Sequence, residues 1–352
     1  MNGLTVRTFL SANSSEGFFS FFNEFLKGKT AYVIKGGPGT GKSSFMKKIA
    51  SESVSKNYFT EYVYCSSDPE SLDGVYIRDK ETIFTDGTSP HVMEPEYTGL
   101  KGGIVDVGQF LDGRKLSVFK EDIETLSGAI STQYSRAYKH LNAAKCMVCD
   151  IEERASHFFD ADSYLCTLKN YYEKYVGSKR GCGGLCYHRF LSGITPKGFI
   201  TFKDTIYTMC SKVCVIRDKY GLSHVGMSML RDMALSSGFD VYDFRSPLEP
   251  CKTVHVAIPE ADIAFVSSDR LVRFEPQGVG SVNISGFISD EASMELPSLT
   301  ASAKIEKLCF DEVYESLKLA KAFHDDLEDI YISAMDFSSV DEMIEKYCKM
   351  IF

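Results

Sequence analysis

No run of roughly 18 to 20 apolar residues, the length a membrane-spanning helix needs, occurs in this chain of 352 residues. Met1 to Ser14 also lacks a basic stretch followed by an apolar one, so the sequence reads as having no secretory leader. The protein is expected in the cytoplasm, without a membrane partner. In that setting the eleven cysteines are expected as reduced, mostly buried thiols rather than a disulfide framework. Basic charge is in deficit: 39 Lys and Arg stand against 48 Asp and Glu, a net charge of -9 that repels a polyphosphate backbone and disfavours bulk nucleic-acid binding. Two nucleotide signatures are missing as well. There is no Asn-Lys-x-Asp motif for guanine, which favours ATP over GTP, and Leu126-Ser127-Gly128 lacks the continuation of a transporter ATPase signature. What remains is a globular composition, 44% hydrophobic and 25% charged, long enough for two domains that each bury a core.

The chain repeats itself. Phe9-Leu10-Ser11, Gly17-Phe18 and Phe21 return as Phe190-Leu191-Ser192, Gly198-Phe199 and Phe202, at 190 − 9 = 181. Ala31-Tyr32-Val33-Ile34-Lys35 matches Val213-Cys214-Val215-Ile216-Arg217 at 213 − 31 = 182, and Ala144-Lys145 with Asp150-Ile151-Glu152-Glu153 matches Ala320-Lys321 with Asp326-Leu327-Glu328-Asp329 at 320 − 144 = 176. The glycine-rich stretch Val176 to Gly184 is the expected join, which divides the chain into domains 1–180 and 181–352. In the first half, strand-like runs at Ala31–Ile34, Glu61–Cys65, Val75–Ile77 and Thr82–Thr85 alternate with helical patterns, the signature of a parallel sheet covered by helices. The second half offers Val213–Ile216, Val241–Phe244, Val254–Ala257 and Ala261–Val266. Long stretches with apolar residues three and four apart follow each set, from about Lys115 to Tyr175 and from about Ala303 to Met350, and read as helical appendages.

The densest chemical signal is Gly36-Gly37-Pro38-Gly39-Thr40-Gly41-Lys42-Ser43, with Ser44 opening the helix behind it. In a phosphate-binding loop, consecutive backbone N–H groups in a tight glycine turn point at phosphate oxygens, and the following helix adds its positive N-terminal end. Gly36, Gly39 and Gly41 supply the turn, Lys42 reaches the β- and γ-phosphates, and Ser43 offers its hydroxyl to Mg²⁺. Asp86, closing Thr82-Ile83-Phe84-Thr85, is the expected strand-end acid that holds the metal, with Asp68 as runner-up. Gly87 follows Asp86 where many ATPases have a catalytic Glu, so the water-positioning group is sought in His91, Glu94 or Glu96. Lys42, Asp86 and His91 form the candidate catalytic set.

The matching loop of the second half, Arg217-Asp218-Lys219-Tyr220-Gly221-Leu222-Ser223-His224-Val225, keeps one glycine and no Lys-Ser pair, and Ala264-Phe265-Val266-Ser267 replaces the strand-end Asp. This half is expected not to bind a triphosphate. It serves as scaffold or supplies an arginine, Arg189, Arg217 or Arg231, across the interface. Cys146, Cys149, Cys182, Cys186 and His188 are poorly spaced for a zinc site, and His324, Asp325, Asp326 and Glu328 read as a helix-packing cluster whose Asp and Glu are shared by both halves.

The Phe-x-Ser segment with its Gly-Phe, the Gly36–Ser43 loop, Asp86-Gly87-Thr88-Ser89-Pro90-His91 and the tandem layout together resemble a family of uncharacterised bacterial tandem P-loop ATPases, over nearly the whole chain. The resemblance implies ATP binding and a RecA-like or kinase-like core; in that family the second half often keeps its own loop, whereas here it is degraded. The expected fold is α/β, two tandem P-loop NTPase-like three-layer α/β/α domains each with a helical appendage. The expected function is Mg²⁺-dependent ATP hydrolysis coupled to an unknown protein partner or a conformational change. A phosphotransferase acting on a small acceptor and a nucleotide-binding switch are the alternatives.

Overall fold

Tyr32 and Ile34 point to one side of the strand Thr30–Lys35 and Ala31 and Val33 to the other, the period-2 alternation of a strand covered on both faces. In the computed structural model, which describes residues 3–90, 92–178 and 183–352, this strand is the fourth of the chain. The first half begins with β1 (Thr5–Thr8), the hairpin β2 (Ser11–Ser14) and β3 (Gly17–Ser20), and α1 (Phe22–Phe25). It continues with β4 (Thr30–Lys35), α2 (Lys42–Ser55), β5 (Thr60–Tyr64), β6 (Leu72–Ile77), β7 (Thr82–Asp86) and β8 (Gly102–Asp106). Helices α3 (Gly113–Ser117), α4 (Lys120–Ser156) and α5 (Ala161–Tyr175) close it. The second half repeats the plan: β9 (Cys186–Arg189), β10 (Ser192–Thr195), β11 (Gly198–Thr201), α6 (Lys203–Met209), β12 (Lys212–Arg217), α7 (Ser223–Ser236), β13 (Val241–Arg245), β14 (Thr253–Ile258), β15 (Ile263–Ser268) and β16 (Gly278–Asn283). Helices α8 (Leu296–Ser333) and α9 (Phe337–Ile351) end the chain.

The class is α/β, and the duplication is visible strand by strand. The first six-stranded sheet has the order β1-β5-β6-β7-β4-β8 and the second β9-β13-β14-β15-β12-β16. Both are mixed, which corrects the expectation of a parallel sheet: the strand pairs β5–β6 and β6–β7 run antiparallel, as do β13–β14 and β14–β15. The cause is connection length. Between β6 and β7 there is little more than a three-residue 3-10 turn, Arg78–Lys80, and between β14 and β15 only Pro259–Ala261, whereas parallel neighbours need a crossover of about a dozen residues. The loop-bearing strands β4 and β12 keep parallel neighbours on both sides.

The halves meet about an approximate two-fold axis. Phe9 and Phe190, equivalent by 190 − 9 = 181, exchange backbone hydrogen bonds, each N–H donating to the other's carbonyl at 2.9 Å. Helices α4 and α8 cross the same axis antiparallel, as Arg136–Glu312, Asp150–Ser302 and Arg154–Ser298 show by rising on one helix while falling on the other. Ala137, Leu141 and Ala144 of α4 bury themselves here against Phe310, Val313 and Leu317 of α8.

Each long helix therefore ends on the opposite half, and the halves do not bury separate cores. Val340 and Ile344 of α9 pack with Phe45, Met46 and Ile49 of α2 on the first sheet. In return Tyr164 and Leu168 of α5 pack with Met227 and Leu230 of α7 on the second. Burying an aliphatic side chain of this size stabilises by roughly 1.5–3 kcal/mol, so the exchange contributes heavily to holding the chain together. The expected join near residue 180 falls at 179–182, outside the described residues. No helix among the described residues is long and apolar enough to cross a membrane.

Candidate functional site

Strand β4 delivers the chain into the glycine loop and α2 takes it up at Lys42. Gly39 (φ 65°) and Gly41 (φ 87°) adopt the left-handed backbone that L side chains avoid, which is why glycine stands at both. The buried Thr40 hydroxyl donates to the Gly37 carbonyl at 2.8 Å and pins the turn. Lys42 folds back over it, its Nζ donating to the carbonyls of Gly36 (2.9 Å) and Gly37 (2.6 Å). Phe45, Met46, Ile49 and Ala50 hold the helix on the sheet, the face their spacing predicts.

Asp86 ends β7, the parallel neighbour of β4, paired in register with Ile34. Its Oδ2 lies 3.6 Å from Lys42 Nζ, while Oδ1 accepts from the Thr88 N–H (2.8 Å) and hydroxyl (2.6 Å). The Asp is thus turn-former and lysine partner at once. Ser43 Oγ accepts from the Leu72 N–H at 3.0 Å, and Ser44 is exposed on the first turn of α2. No side chain fits after Asp86, because a Cβ on Gly87 would run into Val33 Cγ1.

His91 lies outside the described residues. Glu94 pairs with Lys35 at 3.1 Å, and Glu96 accepts from the Gly28 N–H at 2.9 Å. Asp68 caps its own turn, accepting from the Glu70 N–H (3.1 Å) and the Ser71 hydroxyl (2.9 Å), and its Oδ2 is 3.6 Å from Lys321 Nζ. That lysine arrives from α8. Helix α8 lies across the loop: Gly39 N–H donates to Glu328 Oε1 at 3.3 Å, and a Cβ on Gly37 would collide with the Tyr331 ring. Lys321 was missed by sequence reasoning, and Glu328 was read there as helix packing, although the acid shared between Glu152 and Glu328 was a visible hint.

The second loop is closed from within. Asp218 Oδ1 accepts from the N–H groups of Tyr220 and Gly221, both at 2.9 Å, and Oδ2 from that of Ser223 at 2.6 Å. A resident carboxylate takes backbone donors of the kind a phosphate would need. With the helices α2 and α7 aligned at 223 − 42 = 181, Ser223 occupies the place of Lys42 and Ser267 that of Asp86. The ion pair of the first half becomes a hydroxyl pair, Ser223 Oγ to Ser267 Oγ at 2.9 Å. Beside it opens a cavity of about 460 Å³ lined by Ile151, Tyr220, Leu248 and Phe310 among others.

Two of the three arginines are employed elsewhere. Arg189 is buried against Glu61, Arg231 pairs with Asp232 and Asp243, and Arg217 ends β12 beside the second loop. The cysteine set is not assembled. Cys146 is exposed, Cys149 lies 4.0 Å from Glu249, Cys182 is outside the described residues, and Cys186 neighbours His188 and Asp243. Arg231 and Arg245 crowd Asp243 and oppose a divalent cation there.

His255, buried on β14, accepts the Ser267 N–H at its Nδ1 (3.1 Å), and burial pushes its pKa down to about 3. The unfolded chain therefore takes up a proton near the ordinary histidine value while the folded one does not. Stability is expected to fall by roughly 1.4 kcal/mol for each pH unit below about 6.5. Urea midpoints measured from pH 7 to 5 check this; His255→Gln, which keeps an acceptor, is expected to show the shallower decline.

Comparison with protein-family models, with characterised proteins and with solved structures returns no match to this chain.

Proposed function

We propose that this chain is a P-loop nucleoside-triphosphatase whose first half binds ATP with Mg²⁺ at Gly36–Ser44 and hydrolyses it, and whose second half has given up the phosphate. The observation that carries this reading is the Lys42–Asp86 pair, 3.6 Å apart, which joins the helix behind a glycine loop to the end of the adjacent parallel strand. Loop N–H groups and the Lys42 ammonium suit phosphate oxygens, and Ser43 and Asp86 suit a hard cation. Such a cation would neutralise charge on the β- and γ-phosphates. The same features favour a P-loop NTPase core over other α/β folds. The cytoplasm, and a protein partner or internal motion that takes up the energy, complete the proposal.

Calorimetric titration with ATP and Mg²⁺ tests it. One equivalent per chain is expected, and Lys42→Ala should bind about 100-fold more weakly, as losing charge-assisted contacts worth about 3 kcal/mol implies. Asp86→Asn should retain nucleotide but release no phosphate. Two equivalents, or undiminished binding by Lys42→Ala, would sink the assignment.

A further inference from the structure

We propose that the second half supplies the water-activating group of the first: Glu328, carried by α8 onto the loop apex, is the general base of the hydrolysis. The inference rests on the nucleotide reading above. Lys321, His324, Glu328 and Tyr331 follow one another at three, four and three residues, so they share a face of α8, and that face meets the loop. Glu328 Oε1 accepts from the Gly39 N–H, and Lys321 reaches Asp68. The donors of such a loop wrap the inner phosphates, so a carboxylate on its apex stands within about one phosphate of the terminal phosphorus.

The other candidates are engaged or outside the described residues. Glu94 is held by the Lys35 ammonium, Glu96 by the Gly28 amide at the end of β4 away from the loop, and Gly87 has no room for a side chain. Comparison with the second loop sharpens the choice. There Glu152, equivalent to Glu328 at 328 − 152 = 176, also abuts the loop, against Gly221. It is bound by Lys252 at 2.5 Å, and Lys252 also holds Glu249 at 2.8 Å. With β6 and β14 aligned at 253 − 72 = 181, the residue in the place of Lys252 is Ser71; among the described residues Glu328 pairs with His324 at 3.8 Å, and Lys321, whose charge it also feels, is turned to Asp68 and Asp325. The half that lost its phosphate has its glutamate neutralised, and the half that kept the loop leaves it available.

In the step assigned, a water oxygen bonds to the γ-phosphorus, the bond from that phosphorus to the β–γ bridging oxygen breaks, and its electron pair leaves with ADP. The proton of the attacking water passes to the Glu328 carboxylate. Nucleotide must first displace Glu328 from the Gly39 N–H, so the carboxylate also competes weakly with substrate.

Glu328→Gln separates these roles from mere packing. Its affinity for ATP with Mg²⁺ should match or exceed that of the parent, while single-turnover phosphate release falls about 10²- to 10⁴-fold; Glu152→Gln should leave release unchanged. Parental turnover in Glu328→Gln, or loss of nucleotide binding in it, overturns the assignment. A parent protein that binds ATP but releases no phosphate overturns the hydrolytic reading itself, and the base with it.

Discussion

Arg189→Met is expected to unfold with about 3–5 kcal/mol less stability than the parent, the usual cost of stripping one partner from a buried ion pair. Arg189 and Glu61 have side chains 3% and 1% exposed and meet bidentately, Nε to Oε1 at 2.6 Å and the terminal nitrogen to Oε2 at 3.1 Å. The Thr8 hydroxyl donates to the same carboxylate at 2.7 Å, and the guanidinium lies over the Phe25 ring. Burial alone would raise the Glu61 pKa, but Arg189 and Thr8 outweigh it and hold the carboxyl below its ordinary range. A group depressed on folding stabilises above its unfolded pKa and stops doing so as pH falls through the folded value. Methionine fills the arginine's volume but leaves Glu61 charged in a dry interface. In the variant the Glu61 pKa must climb, so acidification relieves the penalty and the parent's advantage should shrink towards pH 4. Urea unfolding at pH 7 and pH 4 checks both parts. A constant difference would mean that lost packing, not an orphaned charge, sets the cost, and Glu61→Gln added to Arg189→Met should restore much of the loss only if charge dominates.

This pair also shows where local reading stops. Arg189 was a candidate finger because its charge was visible and its partner, 128 residues away in sequence, was not. Features carried by consecutive residues were legible: the loop, the helix face Phe45-Met46-Ile49-Ala50, the strands β4 and β7, and the repeat itself. Short or glycine-bearing strands were not. The strand β1 is only four residues with polar Thr5, Arg7 and Thr8, and β8 opens on Gly102-Gly103, both poor in the residues that mark strands; β6 was read only over Val75–Ile77 because it begins Leu72-Asp73-Gly74. Sheet polarity escaped because it depends on the turns at Arg78–Lys80 and Pro259–Ala261, whose brevity leaves no room for a crossover helix. The polar cluster on α8 was read as packing because periodicity says which residues share a face and not which half that face meets.

Cutting the chain at the 179–182 junction should leave two fragments that do not fold alone but recover one ATP site when mixed. The first fragment would lack Val340, Ile344, Tyr347 and the rest of α9, baring the outer face of α2, while its own Tyr164 and Leu168 would have no α7 to cover. Self-association offers no escape, because the two exchanged contacts are matched by size in opposite senses. With the helices α2 and α7 aligned at 226 − 45 = 181, Phe45 corresponds to Gly226; with α5 and α9 aligned at 340 − 164 = 176, Tyr164 corresponds to Val340. Phe45 on α2 shares a cluster with the smaller Val340 of α9, and a glycine on α7 meets a large residue on α5, so tightly that a Cβ on Gly226 would lie 2.7 Å from the Tyr164 ring. Two copies of the first fragment would set Phe45 against Tyr164, and two of the second Gly226 against Val340, leaving one interface overpacked and the other hollow; each fault costs on the order of 1–5 kcal/mol per contact. Circular dichroism melts of each fragment and of the mixture, with ATP titrated into the mixture, decide the matter. A first fragment that melts cooperatively by itself and binds ATP would show that α9 is dispensable to the loop it covers. A mixture that stays unfolded would place the limit instead on how two long helices find each other once the junction no longer tethers them.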